Sequence, residues 1–169
     1  EHPAHRPMAD IDLLVAPGDF RPALQGLAAL GWRVVEDEQC RGAYEVVSHH
    51  AALVNPAEPV TLLELHHRWL SLPLRQMQPV RFGELRARAR PVAVGPITAL
   101  VPGPEDQLLQ ICGHIAIHLP TVRKLIWYWD VDRVVRGGGR GLDWPALLAR
   151  AVDYAMVLPL QIVLPRVAA

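Results

Sequence analysis

The chain has 169 residues, 51% apolar and 20% charged, with a formal net charge of zero. That is globular composition, enough for one domain or one domain with a helical extension. It excludes an overall basic field that would draw the protein to nucleic acid or to an anionic membrane.

Arginine carries nearly all the positive charge, and Lys124 is the only lysine. Cys40 and Cys112 lie far apart and outside any CxxC, which fits a reduced, cytoplasmic setting. The N-terminus lacks the apolar core of a signal peptide. The C-terminal "AMVLPLQIVLPRVAA" is too short to span a membrane and is broken by Pro159, Gln161 and Pro165. It is expected to pack on a core.

In chain order, Asp10–Val15 reads as a strand. Pro17-Gly18 marks a turn, and Asp19 can cap a helix running to about Leu30. Leu24, Leu27, Ala28 and Leu30 supply its apolar face, and Gly31 ends it. Trp32–Val35 is a second short strand, so strand, helix and strand open an α/β unit. Ala51–Asn55 and Val60–His66 form a hairpin around "PAEP", with His49-His50 read as loop. In the second arm Leu62, Glu64 and His66 share one face, while Leu63 and Leu65 point to the other.

The stretch from 71 to 103 is rich in Pro and Arg. "RFGELRARAR" reads as a short helix with a solvated basic side, and "PVAVGPITALV" as a further hairpin. From Pro104 the pattern turns helical. Pro104 suits the first helical position, with Glu105 and Asp106 in the first turn. Leu108, Leu109, Cys112, Ile115, Ala116 and Leu119 form an apolar stripe. A second helix covers about Thr121–Arg136 and stops at three glycines. "RGGGRG" lacks the pattern of a phosphate loop and serves as an interhelical connection. A third helix follows Asp143, its N-cap. Trp127, Trp129 and Trp144 read as core. The fold class is α+β: a mixed sheet over residues 1–95, then a helical bundle over 96–169.

Asp10 and Asp12 sit on one face of an apolar strand, where two carboxylates repel and lose solvation. A divalent cation offsets that cost. Glu64, on the solvent side of a nearby strand, can complete a set of oxygen ligands for two Mg²⁺ ions. The plainer reading makes Asp12 an edge residue and Glu64 ordinary surface.

"RPMADIDLLV" and "LLELHHRW", followed in order by "PEDQLLQICGHIAIH", "KLIWYWD" and "LDWPALLARA", resemble the uncharacterised nucleotidyltransferase family of the polymerase-β-like superfamily. The likeness runs from about residue 6 to residue 155. It implies a small mixed sheet flanked by helices, with a helical domain closing over a nucleotide. By that likeness Asp10 and Asp12 hold Mg²⁺, and Glu64 is a third ligand or the general base. Arg6 is then either a forked donor to phosphate or a surface arginine.

Two features depart from the family pattern. The superfamily's Gly-Ser-like or Lys-Gly motif, which precedes the acidic strand, does not occur in "EHPAHRP". His67 stands where the family more often has Trp.

The activity implied is transfer of a nucleoside monophosphate from a nucleoside triphosphate to a small molecule or peptide. The alternative is a catalytically degenerate binding module for a nucleotide, peptide or protein partner. Neutral charge argues against a long nucleic acid as acceptor, although Arg81, Arg86, Arg88 and Arg90 could form a local patch.

The remaining histidines have several readings. His66, two residues from Glu64, can orient it or contact phosphate. His114 and His118, one helical turn apart, can meet nucleotide or acceptor, hydrogen-bond within the bundle, or bind zinc. They lack the glutamate of HExxH, which weighs against a zinc hydrolase. Lys124 can reach a phosphate tail or remain solvated.

Overall fold

A computed structural model describes residues 8, 10–35, 48–70, 80–119, 124–137 and 141–167. Contacts divide the chain into two compact units, Glu1–Ser71 and Leu72–Ala169. Arg6, Cys40, residues 120–123 and the glycine connection at 138–140 lie outside the described residues.

Among the described residues, the first unit is a mixed sheet covered by one helix. Its strands are β1 (Asp10–Leu14), β2 (Arg33–Val34), β3 (His50–Asn55) and β4 (Glu58–His66), in the order β1-β4-β3-β2. β4 runs parallel to β1 and antiparallel to β3, which is antiparallel to β2. Alternation along β3 and β4 sends Ala51, Leu53, Leu63 and Leu65 to the buried face, each at most 5% exposed. Full burial of one such leucine is worth about 1.5–3 kcal/mol.

Helix α1 (Phe20–Ala29) covers that face with Phe20, Ala23, Leu24 and Leu27. Asp19 holds its N-cap position, but its side chain makes no capping hydrogen bond there. Gly31 follows the helix at φ +90°, a conformation that favours glycine, and packs beside Asn55. The Asn55 side chain accepts from the Ala57 amide at 3.0 Å and so shapes the β3–β4 turn.

Among the described residues, the second unit opens with α2 (Phe82–Arg88) and the hairpin of β5 (Arg90–Val94) and β6 (Ile97–Val101). Gly95, at φ +56°, supplies the left-handed residue its turn needs. Four helices complete the unit: α3 (Pro104–His118), α4 (Leu125–Arg136), α5 (Trp144–Asp153) and α6 (Val157–Val167). The α3 stripe packs against the other three, with Leu108, Leu109, Cys112 and Ile115 at most 1% exposed. Asp143 caps α5, its carboxylate accepting from the Ala146 amide at 3.0 Å.

The C-terminal segment does pack on this core, through Leu160 and Val163 of α6. Pro159 is tolerated there because first-turn amides have no helical partner. Among the described residues, no helix is long and apolar enough to cross a membrane.

Two expectations need correction. Trp129 and Trp144 are 50% and 42% exposed, so neither is core. On α4 the buried direction is set by Val131, one turn from half-buried Trp127; Trp129 points nearly opposite. Arg88 is no solvated cation either. It donates through Nε and Nη2 to Asp106, at 2.8 and 3.0 Å, and Asp106 is fully buried.

Candidate functional site

The site rests on strand register in the first unit. Parallel pairing sets Asp12 beside Glu64, Asp10 beside Leu62, and Leu14 beside His66. Directly paired residues share a face, so Asp10, Asp12, Glu64 and His66 all project from the side opposite the Leu63–Leu65 core. Antiparallel pairing on the other flank of β4 sets His50 beside His66 and Ala52 beside Glu64.

His66 links the two carboxylates. Its Nε2 lies 3.3 Å from Asp12 Oδ1 and 3.3 Å from Glu64 Oε2. Asp12, Glu64 and His66 each offer a ligand atom within 4.8 Å of the others. Asp10 stands one pleat along β1 on the same face and is exposed. The trio within ligand reach thus contains His66 together with Asp12 and Glu64.

The donor chemistry suits a hard divalent cation at the carboxylate pair, which has oxygen ligands on one face and solvent before them. The imidazole now fills a cationic role between those oxygens. Burial by itself disfavours the imidazolium. Hydrogen bonds to Asp12 and Glu64, with their negative charges, outweigh it and raise the His66 pKa from 6.5 to about 9. The hydrogen bond from His66 holds the Glu64 carboxyl below its usual range, against the opposing effect of burial.

Neighbouring imidazoles extend the cluster. His50 is not loop but the first residue of β3, and its Nε2 lies 3.8 Å from Glu64 Oε2. His49 and His50 are both half-buried. Burial, reinforced by the charges of His50 and His66, lowers the His49 pKa to about 4. Burial also lowers that of His50, against the pull of Glu64. His67 turns away to the core, 6% exposed, with its ring 4.6 Å from Phe20 and Nε2 3.1 Å from the Ser48 carbonyl. Its part is structural: it anchors the segment entering β3.

In the second unit, His114, His118 and Lys124 gather around one indole. The His114 and His118 rings are 4.5 Å apart, and they lie 4.8 and 6.0 Å from the Trp127 ring. The Lys124 ammonium sits 5.4 Å from the same ring, a cation–π contact. Gln107 and His114 of α3 are exposed, and Gln110 and His118 are half-buried.

Sequence reasoning missed His49 and His50 as site residues. The signal was present, because counting back along the hairpin from Leu53 opposite Leu63 puts His50 opposite His66.

No curated protein and no solved structure gives a significant match to the chain. A family match is found over residues 1–168, nearly the whole chain and both units. With that extent of match, and a mixed sheet that sets Asp12 beside Glu64, the chain belongs to the uncharacterised nucleotidyltransferase family.

Proposed function

We propose that the protein is a Mg²⁺-dependent nucleotidyltransferase that moves a nucleoside monophosphate from a nucleoside triphosphate to a hydroxyl or similar nucleophile of a small molecule or peptide. One observation carries the reading: Asp12 and Glu64 stand side by side on the open face of a sheet whose other face is core. Asp12 and Glu64 would hold the ion, and Asp10, on the same face, would serve a second. Bound there, the metal supplies positive charge against the phosphates and the leaving oxygen.

The chain's own groups account for the rest. Glu64 is placed to accept the acceptor's proton, or to act as a ligand while solvent takes it. As the acceptor oxygen forms its bond to the α-phosphorus, the bond from that phosphorus to the bridging oxygen breaks. Pyrophosphate carries away the electron pair. His66 would hold the carboxylates in position or contact phosphate. Arg6 would add a forked contact to phosphate. His114, His118 and Lys124 would form a further nucleotide- or substrate-binding surface, cationic and able to stack. Near-neutral charge disfavours a long nucleic acid as acceptor, and two widely spaced cysteines fit a cytoplasmic setting.

Pyrophosphate release with each nucleoside triphosphate and Mg²⁺ tests the reading in the parent, Asp10→Asn and Asp12→Asn. Release that falls in the variants supports it. Equal release in all three proteins would overturn the assignment. Nucleotide binding without turnover in the parent would favour the binding module instead.

A further inference from the structure

We propose that His49, His50 and His66 form a three-imidazole site for a borderline transition-metal dication, typified by Zn²⁺, on the flank of the carboxylate pair. Each ring offers a nitrogen within 4.8 Å of the others. Ring centroids lie 4.4 Å apart for His49 and His50, 5.0 Å for His50 and His66, and 5.3 Å for His49 and His66. His50 Nδ1 and His49 Nε2 are separated by 3.2 Å. Two imidazoles on one tetrahedral zinc, with Zn–N of about 2.0–2.1 Å, place their nitrogens roughly 3.3 Å apart. The existing spacing already matches that edge.

The backbone builds this arrangement. His50 and His66 are register partners in adjacent strands. The His49 carbonyl accepts from the His67 amide at 3.1 Å and from the Arg68 amide at 3.4 Å, which ties His49 to the end of β4. The His50 amide donates to Ser48 Oγ at 3.3 Å. The backbone segments that carry the three rings are thereby held together before any ligand arrives, and donors already brought together lose less entropy on binding.

Convergence of this kind has a chemical cost. A proton shared between His49 and His50 satisfies one pair of ring nitrogens and leaves the third ring to the carboxylates. A dication satisfies all three rings together. Mg²⁺ is a poor occupant because it prefers oxygen ligands and holds its water. Zinc and its neighbours favour imidazole nitrogen. Glu64 Oε2 stands outside this trio of rings, 3.8 Å from His50 Nε2 and 3.3 Å from His66 Nε2. Through His66, occupancy here is coupled to the carboxylates that would hold Mg²⁺.

The inference does not depend on catalysis, and its test reads binding alone. Metal-stripped full-length protein is titrated with Zn²⁺ against a chromophoric chelator in excess Mg²⁺. Ring nitrogen shifts of the histidines are followed by NMR. The expected result is one Zn²⁺ that Mg²⁺ does not displace, with shifts on His49, His50 and His66. His49→Ala and His50→Ala should each weaken Zn²⁺ by at least about a hundredfold, the upper end of what outer partners of a metal ligand cost. His114→Ala with His118→Ala should leave the affinity unchanged. The wild-type shifts keep the test independent of whether a variant folds. Displacement of Zn²⁺ by Mg²⁺, shifts confined to other histidines, or unchanged affinity in both first-unit variants would overturn the proposal.

Discussion

Each unit gathers acidic side chains, but the two clusters are compensated differently. In the second unit the compensation is guanidinium. Buried Asp106 receives the Arg88 fork and lies 3.4 Å from Arg150 Nη1, which is also 3.6 Å from Glu105 Oε2. Arg88 extends the network to the Tyr154 hydroxyl at 3.1 Å, and that hydroxyl donates to Glu84 at 2.8 Å. Glu105 also accepts from the Asp143 amide at 3.1 Å, just before α5. An arginine keeps its charge at any working pH and fixes its partner by a rigid fork. The network therefore joins α2, α3 and the two ends of α5, and leaves no place for an incoming cation. In the first unit the bridge is an imidazole. Its proton can leave, and a metal ion can replace it. One cluster is closed by permanent charge, and the other, under the proposed function, would exchange its cation.

The strongest way to break this contrast is to remove one carboxylate from each cluster. Asp12→Asn should cut nucleotide transfer by on the order of 10³, comparable to losing a principal charge-stabilising contact. Its effect on unfolding should be clearly smaller than that of the buried carboxylate, because the Asp12 side chain is 55% exposed and Glu64 still pairs with His66. Asp106→Ala should do the opposite. It strands two arginines around a buried site and should cost about 3 kcal/mol in denaturant unfolding, the low end for a broken buried pair. The low end applies because the Arg88 side chain keeps 26% of its exposure. Equal stability losses in the two variants would erase the distinction.

Acidity sharpens the comparison next. His66 has its pKa raised from 6.5 to about 9 in the fold, so its contribution to stability is complete below pH 6.5. That contribution is lost as pH rises through 9. His49 has its pKa lowered to about 4, so protonation of the unfolded chain costs stability as pH falls from 6.5 toward 4. Protection of β3 and β4 amides should thus be greatest near pH 6.5 and decline on both sides. Imidazole NMR should follow the His66 ring titrating near 9 without metal, and Mg²⁺ should move that midpoint down. A midpoint indifferent to Mg²⁺ would mean that the cation does not meet these carboxylates.

How much of this could be read beforehand depends on the range of the signal. The alternation Leu62, Leu63, Glu64, Leu65 fixes which side chains face the core, and burial follows it there, while His66 on the other face is also buried, between the carboxylates and His50. Helix α5 with its Asp143 cap, the Pro104 start of α3 and the Gly31 stop of α1 are local rules obeyed locally. The α+β class with a mixed sheet follows from the order of such elements. That Glu64 joins Asp12 is an expectation from the ligand chemistry and the family resemblance, not from periodicity. Periodicity shows that Asp12 and Glu64 lie on strands, but parallel pairing of β1 with β4 is a tertiary choice made more than 50 residues apart. The Arg88–Asp106 pair escaped for the same reason. Asp106 reads as a first-turn acid and Arg88 as a solvated base until α2 and α3 are brought together.

A smaller effect probes the indole patch of the second unit. Lys124→Ala removes one cation–π contact of about 0.5–1 kcal/mol at an exposed site. If the patch binds nucleotide or acceptor, KM should rise roughly twofold to fivefold with kcat held. A change in kcat with KM constant would assign the lysine to a different role.

The least perturbing test concerns the turn that positions Tyr154. Ala155, between α5 and α6, has φ +54°, in the left-handed region where a Cβ is strained. The turn is held by Met156 donating to the Ala151 carbonyl at 2.7 Å and Ala155 donating to that of Val152 at 3.1 Å. These bonds set the helix end from which the Tyr154 hydroxyl reaches Arg88 and Glu84. Glycine adopts this conformation without strain but loses more entropy on folding, so the two effects partly cancel. Ala155→Gly should therefore stabilise α5 and α6 by about 0.5 kcal/mol, read as slower amide exchange in those helices. Loss of stability would show that the Ala155 methyl contributes packing that outweighs its backbone strain.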